Sequence, residues 1–123
     1  MTAQNGGLSG LFPGIIHTYP NLVNLRHPQI EPLVSATYQF NRMVKGVLDI
    51  LKERPLSNLP PQTITDLLLR SRDALAQLQH FSATPGVNAF IDAETQLLVE
   101  LEAQWHITER LWWPRPDTTG DVS

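Results

Sequence analysis

Three stretches of this chain repeat apolar residues at three- and four-residue steps, and proline brackets each of them. That combination admits little besides amphipathic helices. Such steps fall on one stripe of a helix, and proline is tolerated only in a first turn or just beyond an end. The first stretch spans residues 32–53, from Pro32 at a first helical turn to Arg54-Pro55 at its stop. Its expected inward stripe is Leu33, Ala36, Thr37, Phe40, Met43, Val44, Val47 and Leu51. Arg42, Lys45, Asp49 and Lys52 lie on the opposite, solvated face.

The second stretch covers residues 63–81, after a stiff connection that contains Pro60 and Pro61. Thr63 and Asp66 have capping-box spacing, with Asp replacing the usual Glu. Ile64, Leu67, Leu68, Ala74, Leu75, Leu78 and Phe81 form its stripe, and the small Ser71 in their midst would let another helix approach closely. The third stretch, residues 85–113, opens on Thr84 as expected N-cap and Pro85 as first helical residue. Phe90, Ile91, Leu97, Leu98, Leu101, Trp105 and Trp112 face inward. Ile91, Leu98, Trp105 and Trp112 recur at every seventh position, nearly on one line. Short connections between three such helices predict an all-α fold, an antiparallel three-helix bundle over residues 29–113.

Residues 1–28 read differently. Gly6, Gly7, Gly10, Pro13, Gly14, Pro20 and Pro28 interrupt any regular element, yet Leu8, Leu11, Phe12, Ile15, Ile16, Tyr19, Leu22, Val23 and Leu25 lie among them. Disordered segments are poor in such residues. An irregular but docked arm is therefore expected, either on the chain's own helices or on another chain. Residues 114–123 form a polar tail.

Composition narrows the function classes. The chain has 123 residues, enough for one domain with its own core, and a net charge of −3. An acidic balance without a basic stripe argues against nucleic acid as the partner. Cysteine is absent, which removes disulfides, thiolate metal sites and cysteine nucleophiles. Only 17% of residues are charged, below the roughly 25% of an average soluble domain, as fits a surface partly covered by a partner. No secretory leader or membrane-length apolar run is present, so a cytoplasmic protein is expected.

Catalytic or metal chemistry finds little support. Glu102, His106 and Glu109 share one side of the third helix, where carboxylate and imidazole can hold a metal or serve a small helical enzyme. The other helices offer no matching Glu-x-x-His pair, so a surface Glu102–His106 pair is the simpler reading. His17 and His27 in the arm lack an evident acid–base partner. Glu94 interrupts the apolar stripe; reaching solvent is its simpler reading, and if buried it needs an arginine, with Arg70 and Arg72 as candidates. No catalytic residue, metal ligand or cofactor is assigned.

All three tryptophans lie between residues 105 and 113. Trp105 and Trp112 share the core line, whereas Trp113 points about a quarter-turn away and is an expected anchor, or a local stack on Pro114 or Arg115. The reading that follows is a non-enzymatic interaction module, an adaptor, assembly factor or regulator. It would bury Trp113, Trp112, Trp105, Phe12, Ile15, Ile16 and Tyr19 against another protein or a second copy of itself. A homodimer belongs naturally to this reading.

Overall fold

A computed structural model describes residues 13–22 and 27–114. Four helices pack together in an all-α fold: α1 (Pro13–Thr18), α2 (Ile30–Leu51), α3 (Pro61–Leu78) and α4 (Val87–Trp112). Single 3-10 turns at Pro20–Leu22 and Gln79–Phe81 follow α1 and α3. No strand occurs among the described residues.

Cross-helix contacts give the direction of each element. Asn41 of α2 meets Glu94 of α4, and further along both helices Trp112 reaches Leu51, so α2 and α4 run the same way. The short 52–60 connection turns α3 back against both of them, with Ser71 on Asn41, Arg72 on Glu102 and Gln79, just past the end of α3, near Ile91 and Thr95. The arrangement is up-down-up.

Each long helix starts at a different residue from the one its proline or capping pattern predicts. α2 begins at Ile30, because the His27 carbonyl accepts the N–H groups of both Ile30 and Glu31 at 3.1 and 3.0 Å. Pro32 still fits, since the first-turn N–H groups have no helical partner in any case. α3 begins at Pro61, and no side chain caps it. The ring of Pro61 favours an extended Pro60, here at ψ 135°, which is the geometry of the residue before a helix. Thr63 and Asp66 therefore form no capping box; the Thr63 N–H donates to the Pro60 carbonyl, and Asp66 accepts from Gln62. α4 begins at Val87, not Pro85, after Gly86 at φ 87°. Its left-handed backbone suits glycine. A Cβ there would also come within 3.1 Å of Leu22 and 3.2 Å of Asn21.

The core seam of α2 is Ile30, Val34, Thr37, Asn41, Val44, Leu48 and Leu51. The expected stripe thus mixed two adjacent rows. Leu33, Ala36, Phe40 and Val47 are only half-buried, and Met43 is 52% exposed. The inner row is the more polar of the two because its Thr37 and Asn41 bond within the fold. Thr37 donates to the Leu33 carbonyl at 2.8 Å, and Asn41 joins Glu94 and Ser71. From α3 and α4 come Ile64, Leu68, Leu75, Leu78, Phe90, Ile91, Leu98, Leu101 and Trp105.

The described part of the arm is more regular than expected. Pro13 opens a six-residue helix, and residues 20–22 make a 3-10 turn. Ile15 and Leu22 are fully buried in the chain's own core. Burying two such side chains contributes roughly 3–6 kcal/mol of gross stabilisation. Phe12 and the arm's other apolar residues Leu8, Leu11, Val23 and Leu25 lie outside the described residues.

Candidate functional site

The most organised polar cluster centres on Glu94, a carboxylate that is 1% exposed. The expectation that it reaches solvent is overturned, and so are its proposed partners. Arg42 of α2, not Arg70 or Arg72, supplies the charge, with Nη1 donating to Oε1 at 2.6 Å. Asn41 Nδ2 donates to the same oxygen at 2.9 Å and lies 3.3 Å from the Glu94 carbonyl. Tyr19, from the arm, donates its hydroxyl to Oε2. Ser71 of α3 completes the layer by donating to Asn41 Oδ1 at 2.6 Å. Every long helix and the arm thus contribute to a single polar level, α2 with both Asn41 and Arg42. No buried side-chain nitrogen or oxygen among the described residues lacks a partner.

The surroundings fix the charge states of Tyr19 and Arg42. Burial first, and then the hydrogen bond and negative charge of Glu94, raise the Tyr19 phenol far above its ordinary 10.0, so it remains a donor. Burial works against the Arg42 cation, but the Glu94 hydrogen bond and charge outweigh it and raise its pKa. Arg42 also stacks over the Tyr38 ring, 3.9 Å from its centroid. It is therefore not part of a freely solvated face with Lys45, Asp49 and Lys52. Tyr19 is held from its other side by Phe90, in a T-shaped contact with centroids 4.8 Å apart.

Chemically, the layer is closed. Both Glu94 oxygens are engaged by donors of the same chain. A satisfied polar layer fixes helix register, because sliding one helix would strand a buried carboxylate. The sequence contained a signal for it. Ser71 and Glu94 each interrupt the apolar stripe of their helix, whereas Asn41 lies in a row of α2 that also holds Thr37.

The candidate acid–histidine face of α4 is arranged differently from its expectation. Glu102 turns to α3, where it accepts from Arg72 Nε at 3.0 Å and from Nη2. That contact, through its hydrogen bond first, raises the Arg72 pKa. His106 is exposed. Among the described residues, no group of three or more His, Asp or Glu side chains gathers as a metal site. His17 is exposed, and His27 serves the turn before α2, accepting the Gln29 N–H on Nδ1 and meeting the Phe81 ring edge-on at 5.2 Å between centroids.

The tryptophans divide in a way that ideal helical geometry misses. Trp105 is buried. Trp112 is half-buried, and its indole N–H donates to the Leu51 carbonyl at 2.7 Å. It thereby satisfies a C-terminal carbonyl of α2 that no intrahelical N–H reaches. Trp113, expected to point away from Trp105, packs against it with ring centroids 5.7 Å apart. Its backbone, at φ −131° and ψ 63°, has left the helix, so the hundred-degree step no longer applies. Of the remaining expected contact residues, Ile15 is spent in the core, Tyr19 holds Glu94, and Ile16 packs half-buried against the core.

The outer face of α4 carries a second apolar row, outside the inward stripe. Val99, Ile107 and Leu111 are 52%, 64% and 60% exposed, and exposed Ala103 completes a row with steps of four. The row ends at Leu111, next to Trp112 in the sequence. No described helix is long and apolar enough to cross a membrane. The chain matches no family model, no curated protein and no solved structure.

Proposed function

We propose that this protein is a non-enzymatic interaction module that docks a protein partner on the outer face of α4, with Trp112 and Trp113 at the edge of the contact. One observation carries the reading: Val99, Ala103, Ile107 and Leu111 present a continuous apolar row to solvent, although the same helix already buries its other side. Rows of this kind mark association surfaces more often than scattered apolar residues do. The arm and the Glu94 layer serve this function indirectly, by holding α4 rigid. An enzyme built on Glu102 and His106 finds no comparable support, because Arg72 occupies Glu102.

Affinity capture from the native host tests the reading, with wild-type protein and an Ile107→Glu variant as paired baits. The expected result is a partner, either a copy of this chain or a different protein, that the variant no longer retains. An identical catch with both baits refutes docking on this face.

A further inference from the structure

We propose that the outer face of α4 is the seam of a two-fold homodimer, in which this helix packs antiparallel on the α4 of a second copy. The proposal rests on the interaction reading above and names its partner. Two-fold dimers use one patch twice, so the patch must complement its own reversal. This one does. Reversing α4 about the level of residue 105 brings Val99 to Leu111, Ala103 to Ile107 and Glu100 to Arg110.

Each exchange is complementary. The small Ala103 receives the branched Ile107, and the shorter Val99 receives Leu111. Glu100 and Arg110, both exposed and without an ion pair among the described residues, fall in one layer with opposite charge. The two-fold axis repeats each of these matches. A parallel alignment would instead set Glu100 against Glu100 and Ile107 against Ile107. The row also has the i, i+4 spacing of the ridges that interlock in the commonest class of helix packing. A charge-matched seam with alternating size selects a second copy over an arbitrary apolar partner.

Sedimentation equilibrium of the full chain tests this. Wild-type protein is expected at twice the chain mass, and Ile107→Glu at the chain mass with an unchanged helical circular dichroism spectrum. Glu100→Arg alone and Arg110→Glu alone should each weaken the dimer by at least about tenfold, because each sets like charges in one layer. The double variant should recover most of that loss. A monomeric wild-type chain overturns the proposal. If Ile107→Glu still loses a different protein in the capture experiment, the interaction reading survives that failure. A dimer that persists in Ile107→Glu moves the seam elsewhere and overturns the proposal. A dimer indifferent to both charge reversals overturns the antiparallel register.

Discussion

Replacing Glu94 by glutamine keeps the side chain's shape and removes its charge, which isolates what the buried carboxylate does. Three side-chain donors converge on it: Tyr19, Asn41 and Arg42. An amide offers one acceptor oxygen and turns an N–H2 towards whichever donors lose it. The Tyr19 hydroxyl can rotate to accept, so its bond changes from charge-assisted to neutral, a loss of about 1 kcal/mol. Arg42 is partly exposed, so its ion pair is screened and its share is also about 1 kcal/mol. Asn41 keeps a weaker neutral bond, and its Oδ1 is already committed to Ser71, so it cannot flip without stranding that hydroxyl. The expected total is about 2–3 kcal/mol, a lowering of the melting temperature by roughly 10 °C for a domain of this size. Urea unfolding followed by far-ultraviolet circular dichroism and by tryptophan fluorescence measures it. The two transitions should coincide and the urea slope should stay at the wild-type value. Tyr19→Phe in the Glu94→Gln background should cost less than it does alone, because the two groups share one bond. A loss below about 0.5 kcal/mol, the scale of an ordinary surface substitution, would refute the view that the charged acceptor organises the layer.

Two glycines make opposite predictions. Gly86→Ala should destabilise by about 1–3 kcal/mol, from a strained positive φ and the close approach of Leu22 and Asn21. Gly46→Ala in α2, where a Cβ would meet nothing within 4 Å, should stabilise by about 0.5–1 kcal/mol; thermal melts of the pair decide both. Trp112→Phe should cost about 1–2 kcal/mol in urea unfolding, because the Leu51 carbonyl loses its donor. Tyr19 gives a pH prediction. Its folded pKa lies above the ordinary 10.0, so above that pH the unfolded chain binds fewer protons and stability falls. The Tyr19 contribution is thus intact below about pH 10 and lost as pH climbs towards the folded value. Tyr19→Phe should flatten the alkaline decline between about pH 10 and pH 12, as measured by unfolding at stepped pH.

Local chemistry determined much of this protein directly. Spacing of apolar residues set three long helices, and Pro55, Pro60 and Pro61 fixed the break between two of them, because a missing N–H and a locked φ act without help from the rest of the fold. The mixture of glycine, proline and large apolar residues marked out the arm, and the apolar row of α4 identified its buried side through Ile91, Leu98 and Trp105. Where two neighbouring rows of α2 were both apolar enough, the sequence could not choose. The row with Thr37 and Asn41 went inside because Ser71 and Glu94 were there to satisfy Asn41, while Thr37 bonds the Leu33 carbonyl of its own helix. The partner of Glu94 is a long-range matter for the same reason. Arg42 is 52 positions away along the chain and meets the carboxylate only once α2 and α4 lie side by side. Trp113 follows its own backbone out of the helix, so no periodic rule predicts its contact with Trp105. Periodicity and proline act within a few residues and are written in the sequence. Partner choice for a buried charge depends on which helices touch, and only tertiary packing decides that.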